Sequence, residues 1–194
     1  MKKILILLCF ILGCISPGRN FQYVSSSPAA VKARAVVPIW IDVTFSNADK
    51  EALGKAIAEW NYVLNGHVRL RVVSQSFDMS VEDIRESHRR GGWLILKIKG
   101  NNPRVADNNW LAFCNEVGGR YMYIIRDRLK DRDVQPIMLH EIGHLLGAGH
   151  VGYNVMHKYY AYGRYNCVDR RTVETVALSW HLRADQLNYC VPVK

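Results

Sequence analysis

His140-Glu141-Ile142-Gly143-His144-Leu145-Leu146-Gly147-Ala148-Gly149-His150 is the stretch from which the fold can be read. His140 and His144 are four apart, so on a helix their rings leave one face, one turn above the other, and two imidazoles reach one cation. Glu141 lies one residue along and can serve as a general base rather than a ligand. Gly147 can take positive φ, end the helix and turn the chain back, so that His150 approaches the same cation as a third ligand. In a chain with seven histidines and fourteen glycines, chance is a poor account of this spacing. Two blander readings stand beside it. The histidines can simply pack in or on a helix, or they can hold a structural zinc whose fourth position is filled by His157 or Cys167.

The string resembles the zinc signature of the metzincin metallopeptidases, and the surrounding chain is most similar to their matrixin-like members. That resemblance implies one catalytic Zn2+ ion on His140, His144 and His150, Glu141 as general base, and a tight turn carrying a methionine beneath the metal. Met156, in Tyr153-Asn154-Val155-Met156-His157, is the candidate for that turn. The fold it implies is an α+β, zincin-like domain: a mixed, mostly parallel five-stranded sheet with an antiparallel edge strand, an active-site helix, the Met-turn and a C-terminal helix. By the same analogy the edge is Trp110 to Cys114. Trp110, Leu111, Ala112 and Phe113 would then receive an extended protein or peptide substrate as an added strand, with Tyr159 and its neighbours Tyr160 and Tyr162 lining the cleft. A protected edge and ordinary tyrosine packing are the alternatives. The His-x-Asp pattern that carries a second zinc in matrixins is missing, so one ion is expected.

Periodicity supplies the rest of the domain. Val36 to Phe45 alternates as a strand should. Ser46 or Asn47 can cap a helix in which Leu53, Ile57, Trp60 and Leu64 share a face. Val68 to Val73, Trp93 to Ile98, Trp110 to Cys114 and Tyr121 to Ile125 read as further strands, the last two joined by a hairpin-like turn at Gly118-Gly119. Asp133 can cap the histidine-bearing helix, with Pro136 in its first turn. Asp169 can cap a final helix with Val173, Val176, Ala177 and Trp180 as its buried stripe.

The amino terminus points outward from the cytoplasm. Met1-Lys2-Lys3 is a short cationic start, Ile4 to Leu12 is almost wholly apolar, and Gly13-Cys14 closes it in the layout of an export signal. The run is too short to span a bilayer, which takes about 20 residues. Ile11-Leu12-Gly13-Cys14 also resembles a bacterial lipobox, which implies a signal peptide over residues 1–13, lipidation of Cys14 and membrane attachment through that lipid. An ordinary cleavable signal or an uncleaved anchor are the alternatives. Residues 14–35 have tether composition, leaving 36–194 as one catalytic domain. The expected location is the cell envelope, at the outer membrane in a Gram-negative host.

Of the cysteines beyond Cys14, Cys114, Cys167 and Cys190 allow three pairings, each leaving an odd thiol; Cys167 with Cys190 would staple the final helix to the carboxyl terminus. The formal charge is +9, or +7 without Lys2 and Lys3. The basic stretches are short or mixed with acids, and neither they nor any motif suggest nucleic acid. A monomeric exported zinc endopeptidase is the expected function. The alternatives are a surface-anchored binding or adhesion module that keeps zinc for structure, and a cell-wall peptide hydrolase.

Overall fold

Residues 21–26, 33, 35–151, 154–160 and 167–192 are described by a computed structural model of the chain. Strand β1 (Phe21–Val24) precedes β2 (Ala35–Asp42), whose apolar run is buried from Val37 onward. The run ends before Phe45 because the Asp42 carboxylate accepts from the Thr44 amide at 2.8 Å and the Thr44 hydroxyl at 2.7 Å, a local turn that competes with strand pairing. Ser46 then caps α1 (Asn47–Val63) through a capping box with Asp49. Leu53, Ala56, Ile57, Trp60 and Val63 form its buried face.

Strand β3 (Val68–Phe77), helix α2 (Val81–Arg89), β4 (Trp93–Ile98), β5 (Ala112–Cys114) and β6 (Tyr121–Ile125) follow. The sheet order is β3-β2-β4-β6-β5. All pairs are parallel except β5 with β6, so β5 is an antiparallel edge, as the resemblance implied. It is shorter than Trp110 to Cys114: Trp110 and Leu111 lead into it. One sheet face packs on α1 and α3 (Asp131–Leu145), and the same buried cluster takes in Val173, Val176 and Ala177 of α4 (Arg170–Ser179). The other carries Trp40, Phe77, Leu94, Leu96 and Tyr123, with Ile84 of α2 against them.

The start of α3 departs from expectation. The helix begins at Asp131 after Lys130, with no side-chain cap, and Pro136 lies inside it. Pro136 removes one intrahelical donor, which burial of Val134, Ile137 and Met138 offsets. Asp133 does not cap; its carboxylate accepts from the Tyr160 hydroxyl at 2.9 Å. Asp169 does cap α4, accepting from the Thr172 amide at 2.9 Å.

Part of the stretch expected to be tether is folded. Phe21–Val24 pairs antiparallel with β7 (Tyr189–Pro192), and the Ser26 amide donates to the Asn188 side chain at 2.8 Å. Cys167 and Cys190 are disulfide-bonded, and Cys114 is free. Cys14 and the signal-like residues lie outside the described residues, as does Tyr162. Among the described residues no helix is long and apolar enough to cross a membrane.

Candidate metal centre and cleft

Helix α3 delivers His140, Glu141 and His144, and its end delivers His150. Leu146 closes the helix, and Gly147 follows at φ +94°. The Ala148 amide donates to the Gly143 carbonyl at 2.9 Å and the Gly147 amide to the His144 carbonyl at 3.0 Å, the two bonds of a Schellman ending. A β-carbon on Gly147 would also meet the Ser179 hydroxyl oxygen at 2.4 Å, so both φ and space require glycine. The reversal brings the third imidazole back. One ligand atom from each of His140, His144 and His150 can lie within 4.8 Å of the others, and the ring centroids are 4.7 to 5.4 Å apart.

Two rings are held by backbone carbonyls on their far side. His144 Nδ1 lies 2.7 Å from the Ala148 carbonyl and His140 Nδ1 2.5 Å from the Val155 carbonyl. A carbonyl only accepts, so each Nδ1 carries the proton and each Nε2 is left with its lone pair, the tautomer a metal ligand needs. Burial, with the neighbouring His144, pushes His140 down to about 3. Burial also lowers His144, and burial together with the Lys158 charge lowers His150. All three are therefore neutral donors at neutral pH. Three neutral imidazoles with no fourth protein ligand in their group among the described residues fit a zinc site with an open position. Cys167 is not available as a fourth ligand, since its sulfur is in the disulfide.

Met156 is fully buried, its sulfur against Gly143 of the histidine-bearing helix. The Asn154 carbonyl accepts from the His157 amide at 2.9 Å, closing a tight turn, and the Met156 carbonyl accepts from the Val151 amide at 3.1 Å. The same turn supplies the Val155 carbonyl that orients His140, so the turn and the ligand are one unit.

Glu141 is 5% exposed, and burial pushes its carboxyl up to about 8. A dication on the triad would draw that value back down. Its side-chain donor among the described residues is the Cys114 thiol, 3.4 Å from Oε2. Burial, and then the Glu141 charge, push that thiol upward, so it stays protonated.

These groups line a cleft of about 1120 Å³. Residues Asn109 to Val117, the buried Pro136, Ile137 and Val155, and His157 to Tyr160 complete the lining. Trp110, Leu111, Ala112, Phe113 and Tyr159 all line it. Phe113 also stacks on Tyr123 at 4.8 Å on the outer sheet face, and Tyr159 is 69% exposed. The contacts Cys114–Glu141 and Asp133–Tyr160 have no sequence signature beyond the alternation that puts Ala112 and Cys114 on one face of β5.

Neither a family model nor a curated protein sequence matches the chain. Among solved structures, the crystal structure of metalloproteinase-II from Bacteroides fragilis is similar at a TM-score of 0.48 and 15% identity, over 80% of this chain and 54% of that one. The chain thus spans about half the length of that protein.

Proposed function

We propose that the chain is a zinc-dependent endopeptidase that cuts proteins or peptides laid along the β5 edge. The observation that carries this reading is the convergence of His140, His144 and His150 with Glu141 at the base of an open cleft. Zinc held there would supply a Lewis acid that polarises a carbonyl and acidifies water. Glu141 takes a proton at its carboxylate as water adds to the peptide carbon, and returns it to the departing amine. The unpaired outer edge of β5 offers main-chain donors and acceptors that hold an extended substrate across Glu141. Tyr159 and Trp110, both exposed and both lining the cleft, supply apolar contact for its side chains.

The signal-like amino terminus supports export, with a lipid on Cys14 as the attachment and the envelope as the place of action. The Cys167–Cys190 bridge agrees with an oxidising compartment. The test is digestion of a broad peptide library by the purified protein, with and without chelator, repeated with Glu141→Gln. Cleavage that stops on zinc removal, returns on zinc addition and is lost in Glu141→Gln upholds the proposal. Cleavage indifferent to both refutes the mechanism, and zinc binding without cleavage of peptides or muropeptides makes the site a structural or adhesive one.

A further inference from the structure

Glu141 has a flexible carboxylate in a buried place. The torsion that turns the two oxygens is broad and roughly two-fold, so packing of the stem does not set which oxygen faces the reacting atoms. Something must hold it. The Cys114 sulfur lies 3.4 Å from Glu141 Oε2 and 3.3 Å from the Glu141 backbone carbonyl, so its single proton has two acceptors on one residue, the carboxylate being the charged one. Oε1 receives no such donor among the described residues.

The sheet fixes where this thiol points. Cys114 pairs with Met122 at the end of β5, and alternation along the strand sends Phe113 to the outer face, where it stacks on Tyr123. Cys114 is thereby turned inward against α3. The loop that follows ties back to the same helix, the Gly118 amide donating to the His144 carbonyl at 2.8 Å. Strand and helix are thus tied together on both sides of the thiol, which fixes the backbone that carries the contact.

We infer that Cys114 is a positioning residue for Glu141: its thiol donates to Oε2, fixes the plane of the carboxylate and leaves Oε1 as the oxygen that handles the proton. The inference rests on the peptidase reading for its consequence and on the thiol–carboxylate contact for its substance. A sulfur donor is suited to the place, because its bond is weak enough to leave the carboxylate basic yet directional enough to stop it turning.

Two measurements on the full chain test it. In metal-free protein held above about pH 9, where a Glu141 carboxyl raised to about 8 is ionised, the infrared S–H stretch of Cys114, isolated as the difference between wild type and Cys114→Ala, is expected at the lowered frequency of a thiol bonded to carboxylate and is expected to move in Glu141→Gln. A band that Glu141→Gln leaves in place, whether at the free-thiol frequency or lowered by the backbone carbonyl alone, overturns the inference and says nothing against zinc or peptidase activity. In zinc-loaded protein, Cys114→Ala and Cys114→Val are expected to lower kcat by roughly tenfold with KM within about twofold, while Cys114→Ser, which keeps a donor, recovers most of it. Equal losses in all three variants, no loss in any, or a loss confined to KM overturns it. If wild type cuts nothing, it is the peptidase reading that has failed, and the infrared result still decides the contact.

Discussion

Gly143 lies directly on Met156: a β-carbon at position 143 would stand 2.3 Å from Met156 Sδ and 3.2 Å from the Trp60 ring. Gly143 is therefore glycine for space, and the methionine fills that space. Met156 and Trp60 are both fully buried, so neither side chain has room to withdraw.

Gly143→Ala should consequently destabilise the protein by about 1–3 kcal/mol through overpacking, despite the better helix propensity of alanine. Displacing Met156 also shifts the Val155 carbonyl that orients His140, so zinc content should fall. Gly54→Ala is the control, since nothing lies within 4 Å of the added carbon and the site is in the exposed face of α1. It should stabilise by up to about 1 kcal/mol. Thermal unfolding and metal analysis of both variants check the contrast.

The cleft wall depends on Arg128. Its guanidinium donates to the carbonyls of Gly100, Val105, Asn108 and Trp110 at 2.7 to 3.0 Å, while the Asp127 carboxylate accepts from the Gly100 amide at 2.9 Å. One planar fork organises the whole loop before β5. Arg128→Ala should cost about 1–3 kcal/mol from unsatisfied carbonyls, and Arg128→Lys should not rescue it, because an ammonium cannot span four acceptors in that geometry. Faster protease nicking between residues 99 and 111, with KM raised more than kcat is lowered, is the expected result.

The metal string, the strands and the stripes of α1 and α4 were legible because each is periodic over many residues. What escaped the sequence lacked that periodicity. Helix α2 has only Ile84 packed on the sheet, so no apolar stripe announces it, and its Ser80 cap reads equally as a turn. β1 is four residues whose partner lies at the far end of the chain, and no local pattern encodes such a pairing. Asp133 had the chemistry of a cap, yet helix formation from Asp131 placed it inside the first turn, where it meets Tyr160 instead. The three histidines were visible in the string; the carbonyls that hold two of their rings were not.

Acid sensitivity should arise at the α1–α3 junction. Burial alone would raise the Asp49 carboxyl, but hydrogen bonds from Arg126 and Ser46 and the Arg126 charge together hold it below its ordinary value. Arg126 Nε lies 2.6 Å from Asp49, and the same guanidinium also pairs with Asp131. A depressed folded-state value means the stability is fully present above the unfolded value near 3.9 and is lost as pH falls through the folded one. Asp49→Asn should therefore lower stability at pH 7 and flatten its fall below about pH 4. Denaturant unfolding of both proteins from neutral to acid pH measures this, and parallel curves would show that Asp49 contributes nothing to the acid limb.

The disulfide should be felt at the metal. Cys167 is bridged to Cys190 across a separation of 23 residues, a closure worth about 3 kcal/mol in the chain-entropy model. The Cys167 carbonyl accepts from the Val155 amide at 3.3 Å, and the Val155 carbonyl in turn holds His140 Nδ1. A single backbone residue thus stands between the bridge and a ligand. Replacing both cysteines by alanine should lower unfolding stability by roughly that amount and loosen the turn that carries Met156. Zinc affinity should then weaken by about 10-fold, the lower end of what loss of a ligand's outer partner costs. Competition with a chromophoric chelator at a temperature where both proteins are folded separates the two effects. Weakened stability with unchanged zinc affinity would mean that the Val155 carbonyl keeps its place without the bridge, leaving the turn held by Asn154 and the Asp169 side chain, which are hydrogen-bonded at 2.9 Å.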